Sequence, residues 1–233
     1  MTYTESTPVG GRAGAGEAPA RRILWPLTGA AAGLLGLVST VFLDVRAGQS
    51  GELDEMTIAK VDDIDVLYSR LGFLGGFMTV ALLLVTAAAW RRHVEPRVPG
   101  STAARVVASG LNAAAGALTL GYGWKGAMAI YGKGGPEDDA FDQQGRYVYY
   151  MLNDFGAWIG WFAVLVAAGG IAWMALRERT VSRWIGWFTV AAMLPPVVGF
   201  VVMSVPGLGA MTMPIWMAVA FTGLALGKST ITR

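Results

Sequence analysis

The sequence predicts an all-α fold: a polytopic transmembrane bundle of six helices with both termini in the cytoplasm. Hydrophobic residues make up 54% of the 233 residues and the mean hydropathy is +0.49, whereas charged residues contribute only 15%. Soluble domains usually carry about 25% charged residues. Six long apolar stretches, and an alternation of charge between the segments that connect them, complete the pattern.

The apolar stretches have the length of membrane-crossing helices, which need about 20 largely apolar residues each. The first stretch ends at Asp44, and the second ends at the pair Arg91 and Arg92. Each is too long and too evenly apolar for a strand, and in lipid a helix satisfies its own backbone hydrogen bonds. The predicted spans are 23–43, 66–90, 106–124, 155–176, 184–205 and 210–227.

The chain divides into a polar tail and a membrane domain. Residues 1–20 are rich in Gly, Ala, Pro, Ser and Thr and have little to bury, so we expect a disordered cytoplasmic tail. Residues 21–233 form the predicted six-span domain. The pair Arg21 and Arg22 before the first stretch is similar to a twin-arginine signal, but the stretch is long and five more follow. We therefore expect an uncleaved anchor.

The connecting segments alternate in charge. With the N-terminus inside, the cytoplasmic segments hold twelve of the 18 Lys and Arg residues and four of the 16 acids. A bias of Lys and Arg in short loops sets the orientation of a membrane protein. The sequence thus predicts a multi-pass protein of the plasma membrane, with the lipid bilayer as its partner. The Ala, Gly and Arg content favours a bacterial origin.

Several chemistries are excluded or disfavoured by composition. The chain has no cysteine and one histidine, His93, so cysteine-based metal sites and bis-histidine haem ligation are ruled out. We expect no metal and no cofactor, and a solvated His93. Phosphate-binding loops, nucleophile elbows and dinucleotide motifs are missing. The basic residues are explained by orientation, so we expect no nucleic acid as a partner.

Charged residues avoid the centres of the predicted spans and gather at the outer ends of spans one to four. Carboxylic acids there could donate protons, and tryptophans could stabilise a cation. The candidate catalytic residues are Asp44, Asp65, Asp154 and Arg70. The candidate binding residues are Tyr68, Tyr122, Lys125, Asn153, Trp158 and Trp161.

The spacing of these candidates predicts some of their neighbours. Asp154, Trp158 and Trp161 fall on one helix face. Arg70 lies about one turn inside span two, and an acid of a neighbouring span, Asp44 or Asp154, is its expected partner. A structural interpretation is also open, because acids suit helix N-termini, a lysine suits a helix C-terminus, and aromatic residues suit the membrane interface.

Three classes of function follow, and the oligomeric state stays open. The first is an accessory or envelope-related membrane protein without catalytic activity, favoured by the absent motifs. The second is a membrane enzyme that acts on a lipid or isoprenoid ligand through the outer acids, as membrane-bound terpene cyclases do. The third is a small-solute transporter whose site lies at a helix break at Pro195 and Pro196.

The whole-chain pattern resembles a known family. Six spans, a long outer loop after the first, the basic junction RERTVSRWIGW at 177–187 and a proline at the last hairpin are the features concerned. They are similar to a family of bacterial six-helix integral membrane proteins of unknown function. The resemblance implies the six-helix fold and assigns no role to any residue.

Overall fold

The computed structural model describes residues 24–45, 57–227 and 229–232, and this part of the chain is helical without strands. Five helical segments are long and apolar enough to cross a membrane, and the segment Pro26–Phe42 is apolar but shorter. The chain is therefore an all-helical, multi-pass membrane protein. The predicted disorder of residues 1–20 lies outside the described residues. The five segments are Val66–Arg97, Thr102–Tyr131, Gln143–Glu178, Arg183–Met203 and Pro206–Leu226.

Within the described residues, seven α-helices build these five segments and the shorter segment Pro26–Phe42. The side chains of Asp65, Ser101 and Asp142 begin three of them by accepting hydrogen bonds from backbone N–H groups of the first turn. Wide π-helical turns, Val38–Phe42 and Met174–Glu178, continue the first and fifth helices. The helices are α1 Pro26–Leu37, α2 Val66–His93, α3 Thr102–Tyr131, α4 Gln143–Gly160, α5 Phe162–Trp173, α6 Arg183–Met203 and α7 Gly209–Leu226.

Two helices extend past the spans that the sequence predicts. Helix α3 continues to Tyr131 instead of ending near residue 124, and α4 begins at Gln143 instead of near residue 155. Hydropathy marks the edge of the apolar layer, whereas a helix ends where its backbone hydrogen bonds end. Lys125 and Arg146 are therefore helical residues in the interior of the protein rather than loop residues.

Helix α3 is the centre of the bundle, because it packs against α2, α4 and α5. Helix α1 lies between α2 and α7, and α6 lies between α5 and α7. Only 28% of the apolar window of α6 is buried, against 61% for the α4–α5 segment. Helix α6 therefore lies at the periphery of the bundle.

Glycines allow the helices to approach closely. A Cβ atom added to Gly33 would collide with the α7 backbone at Pro214 and Ala218, and one on Gly121 would lie 2.5 Å from the backbone nitrogen of Ala157. Packing through small residues is the usual means of helix association in lipid.

The first and last described segments lie at one end of the bundle, here called the inner end. Trp25, just before α1, stacks on His93 with ring centroids 5.9 Å apart. Nη1 of Arg97 donates to the carbonyl of Ile231 at 2.6 Å. The single histidine is thus half-buried beside a tryptophan rather than solvated. The opposite end, which contains Lys125, is called the outer end.

Candidate functional site

A polar part of the bundle interior lies near the outer end, where Lys125 joins α3 to the π-helical turn that continues α1. Its Nζ donates to the carbonyls of Ser39 at 2.8 Å and Leu43 at 2.9 Å, and Oδ1 of Asp44 lies 4.0 Å away. The side chains of Lys125 and Asp44 are 1% and 6% exposed. A helix end leaves carbonyls without intrahelical donors, and a cation is stabilised there. Lys125 therefore caps the C-terminal end of the first helical segment, at the π-helical turn that continues α1.

Glycine on α2 makes room for this contact. A Cβ on Gly72 would lie 2.7 Å from Cδ of Lys125 and 3.0 Å from the carbonyl oxygen of Leu43. One turn further along α2, Gly76 faces the ring of Tyr122 in the same way. The small residues of α2 thus accommodate the two large polar side chains of α3.

A second buried contact joins three helical segments. The hydroxyls of Thr40 and Tyr122 are 2.7 Å apart, and Nε1 of Trp161 donates to the Thr40 hydroxyl at 3.1 Å. All three side chains are fully buried. Trp161 lies at the junction of α4 and α5, so this contact ties that junction to α1 and α3. Buried polar groups with such partners specify one packing arrangement.

Asn153 is buried beside this region without a partner. It is 1% exposed, and neither Nδ2 nor Oδ1 has a hydrogen-bond partner. Leu118 faces Gly160 and Gly121 faces Ala157 in the antiparallel α3–α4 pair, a register that places Asn153 level with Lys125. Buried polar groups are normally satisfied by protein or ordered water. The interior here thus offers the NH₂ group and the carbonyl oxygen of one amide to a water molecule or another small polar group.

The three candidate acids have three different settings. Asp44 faces Lys125, as described above. Oδ1 of Asp65 accepts hydrogen bonds from the backbone N–H groups of Leu67 and Tyr68 at 2.7 and 3.4 Å, so its carboxylate caps α2 and is exposed. Asp154 is exposed on α4, at an apolar groove of about 430 Å³. The groove is lined by Trp124, Met151, Leu152, Asp154, Phe155, Gly156 and Ile159.

The other candidates are also spread over several surroundings. Tyr68 and Arg70 are exposed on the first turns of α2. Asp44 is one of the two acids expected to pair with Arg70. In the structure its carboxylate faces the ammonium group of Lys125, 4.0 Å away. Trp158 is half-buried, and its Cβ would lie 3.4 Å from a Cβ on Gly207. Tyr122, Lys125 and Trp161 come together with α1, but Asp65, Tyr68 and Arg70 do not join them.

Sequence reasoning missed a cluster that fastens the outer loops. Nε and Nη2 of Arg146 donate to Oδ1 of Asp62 at 3.0 and 2.8 Å. Nη1 of Arg146 donates to the carbonyls of Asp138 and Phe141, and Nε2 of Gln143 donates to Oδ2 of Asp62 at 2.7 Å. The available signal in the sequence was Arg146, a single arginine just before a group of tyrosines, which marked a basic residue in a region of acids. Arg146 therefore holds the loop after α3 against the short helix Ile58–Asp63.

This cluster makes the outer loops sensitive to acid. The hydrogen bond from Gln143, helped by the Arg146 guanidinium and opposed by burial, holds the pKa of Asp62 below its ordinary value of 3.8. A lowered pKa in the folded state means that the stabilisation is complete above the ordinary pKa and is lost as the pH falls through the lowered one. Acid therefore loosens the contact.

We expect pepsin to cleave within residues 132–142 increasingly as the pH falls below the ordinary aspartate pKa of 3.8, because Asp62 then takes up a proton. Asp62→Asn should make that loop accessible at every acid pH tested, so that only the pH dependence of pepsin itself remains. Asp63→Asn, a change in the exposed neighbouring acid, serves as the control and should cleave like the unchanged protein. Equal pH profiles for all three proteins would contradict the assigned role of Asp62.

A metal centre is not formed by the described residues. Within residues 24–45, 57–227 and 229–232, no three His, Asp or Glu side chains are grouped so that they could hold a metal ion. The side-chain contacts described above join lysine, guanidinium, indole, amide and hydroxyl groups to backbone carbonyls, carboxylates and other hydroxyls.

Comparison with known proteins adds no family to this description. The chain matches no family model, no curated protein and no solved structure.

Proposed function

We propose that the chain is a six-pass plasma-membrane protein with both termini in the cytoplasm, and that it acts as a non-catalytic accessory or envelope-related protein. The placement of Trp25 and Ile231 at the same end of the bundle supports an even number of crossings. The segment Pro26–Phe42 has 17 residues and would span about 25 Å as a helix, a mismatch that local thinning of the bilayer can absorb.

The observation that carries the non-catalytic role is that the polar side chains near the outer end have structural roles. Lys125 caps the helical segment that α1 begins, Tyr122 and Trp161 bind Thr40, and the carboxylate of Asp65 caps α2. The outer acids have separate settings instead of a shared enclosed pocket, which gives acid catalysis by a pair of carboxylates little support.

The topology can be tested directly, because the chain has no cysteine and single cysteines give no background. We expect a membrane-impermeant maleimide to label Lys133→Cys in intact cells. Ser6→Cys and Thr232→Cys should be labelled only after permeabilisation. Labelling of Ser6→Cys in intact cells would leave five crossings and contradict the proposed topology.

A membrane enzyme that acts on a lipid or isoprenoid is the second candidate, favoured by the groove beside Asp154. That groove combines one carboxylate with the aromatic rings of Trp124 and Phe155, which suits an apolar chain and a developing cation. The transporter hypothesis has less support, because α6 continues as a helix through Pro195 and Pro196. At its interface with α7, Nε1 of Trp216 donates to the buried hydroxyl of Thr189 at 2.8 Å.

The enzyme hypothesis and the accessory role predict different results in one experiment. Protein reconstituted in lipid is incubated with isoprenoid diphosphates, and the products are compared with those of the double variant Asp44→Asn, Asp154→Asn. The accessory role predicts no product above that of the double variant. A product that disappears in Asp154→Asn, while the folded fraction is unchanged, would overturn the accessory role and establish the enzyme.

A further inference from the structure

We propose that the α5–α6 hairpin binds one anionic phospholipid of the inner leaflet, with its phosphate on Arg177 and an acyl chain in the adjoining groove. The inference rests on the proposed membrane function and adds a ligand class to it. Four observations carry the inference: an apolar groove, an exposed arginine at the mouth of the groove, a backbone turn that separates this arginine from its acidic neighbour, and a surrounding set of interfacial tryptophans.

The groove lies on the surface of α5 and its π-helical turn, towards the inner end of the bundle. It has a volume of about 330 Å³ and is lined by Gly169, Ala172, Trp173, Leu176 and Arg177. Gly169 forms its floor towards α6, since a Cβ there would lie 3.6 Å from Cε of Met193. The lining is apolar except for Arg177, which stands at the inner end. An acyl chain with a phosphate at one end has the matching distribution of polarity.

The backbone separates Arg177 from the acid beside it. The π-helical turn Met174–Glu178 ends at Arg179, which has a left-handed conformation with φ of 59°. The N–H of Thr180 donates a hydrogen bond to the carbonyl of Met174 at 3.0 Å. The hydroxyl of Ser101 donates to the carboxylate of Glu178, with its oxygen 2.9 Å from Oε1 and 2.7 Å from Oε2. Glu178 thus faces α3, whereas Arg177 is exposed. π-helical turns often occur at functional sites.

The surroundings of Arg177 suit a lipid headgroup. Arg179 and Arg183 follow it on the same hairpin and are exposed. Three tryptophans of the hairpin are exposed as well: Trp173 at 58%, Trp184 at 49% and Trp187 at 61%. Tryptophan is enriched at the level of the headgroups, and basic pockets between membrane helices bind anionic headgroups. A guanidinium can also bind two phosphate oxygens at once.

A phospholipid fits this site better than a soluble phosphate would, because a free phosphate leaves the groove unused. The test titrates detergent-purified protein with phosphatidylglycerol and follows its unfolding temperature, with phosphatidylcholine of the same chains and glycerol phosphate as comparisons. We expect a saturable rise with phosphatidylglycerol alone. Saturation by glycerol phosphate would identify a plain anion site and overturn the inference, as would equal effects of the two lipids.

Three variants locate the site. Arg177→Ala should weaken phosphatidylglycerol binding about fivefold or more, since each arginine at the surface of an anionic membrane contributes about that factor. Arg92→Ala removes the same charge from the inner end of α2, which α3 separates from α5, and should change binding less than about twofold. Gly169→Leu should fill the groove and weaken binding with Arg177 intact. Equal losses for Arg177→Ala and Arg92→Ala would overturn a local site.

The unfolding temperature of each variant is also measured without added lipid, so that a loss of lipid binding can be distinguished from a loss of stability. The lipid inference and the proposed function fail differently. A protein that leaves the membrane fraction without detergent would contradict the proposed function. A protein that stays integral to the membrane but shows no preference for phosphatidylglycerol would contradict the lipid inference alone.

Discussion

Gly121→Ala should destabilise the bundle by about 1 to 3 kcal/mol, because the added methyl group has no space between α3 and α4. A Cβ at this position would lie 2.5 Å from the backbone nitrogen of Ala157 and 2.5 Å from the carbonyl carbon of Gly156. Backbone atoms cannot rotate out of the way as a side chain can. The two helices would have to move apart, which would also disturb the contact of Trp161 with Thr40 one turn away.

The same helix supplies a matched control for this change. A Cβ on Gly123 meets no atom within 4 Å, so Gly123→Ala should leave the free energy of unfolding unchanged or raise it by up to about 1 kcal/mol through helix propensity. Unfolding of both variants in mixed micelles, followed by circular dichroism, gives the comparison. Similar free energies for the two variants would show that α3 and α4 are not packed as closely as described.

Lys125→Met should destabilise the protein by about 3 to 5 kcal/mol, the usual result of removing one partner from a buried ion pair. Methionine keeps most of the volume but leaves Asp44 without the ammonium group and the carbonyls of Ser39 and Leu43 without their donor. Hydrogen exchange should increase at the end of α1 and in residues 38–45. Arg92→Met, at an exposed inner position, should change neither quantity.

A double-mutant cycle separates the two functions of the lysine. Asp44→Asn alone should cost about 1 to 3 kcal/mol, since Nζ keeps its two carbonyl acceptors. The double variant Asp44→Asn, Lys125→Met should be more stable than the sum of the single effects predicts, because the lost attraction between Asp44 and Lys125 is then counted once instead of twice. Strictly additive losses would mean that Lys125 acts through the carbonyls of α1 and that the carboxylate contributes nothing to it.

The sequence was sufficient for the helical class and the multi-pass character. Apolar stretches of about 20 residues have few alternatives in lipid, and Asp65 was recognisable as an acid at a helix N-terminus. Lys125 was expected to suit the C-terminal end of its own helix. It does bind the end of a helical segment, but of the one that α1 begins and not of α3. Side-chain direction across a bundle depends on helix rotation, which hydropathy does not determine.

Other features depend on pairs that are far apart in the chain. Asp62 and Arg146 are 84 positions apart and Thr40 and Trp161 are 121 apart, and neither pair has a periodic pattern that would connect them. The helical conformation of residues 125–131 and 143–154 was also missed, since polar residues there ended the predicted spans. These features became visible only when the packing of α3 against α1 and α4 was known.

The contact between Lys125 and the end of α1 has a consequence for biosynthesis. A lysine that enters lipid alone is costly, and α3 is made after α1 and α2. The carbonyl acceptors of Ser39 and Leu43 have therefore already left the ribosome when Lys125 reaches the insertion machinery. The ammonium group of Lys125 can then bind these carbonyls as the third helix enters the membrane. A circular permutation that moved α1 to the end of the chain would deprive Lys125 of this partner during insertion, even though the finished bundle would contain the same contacts.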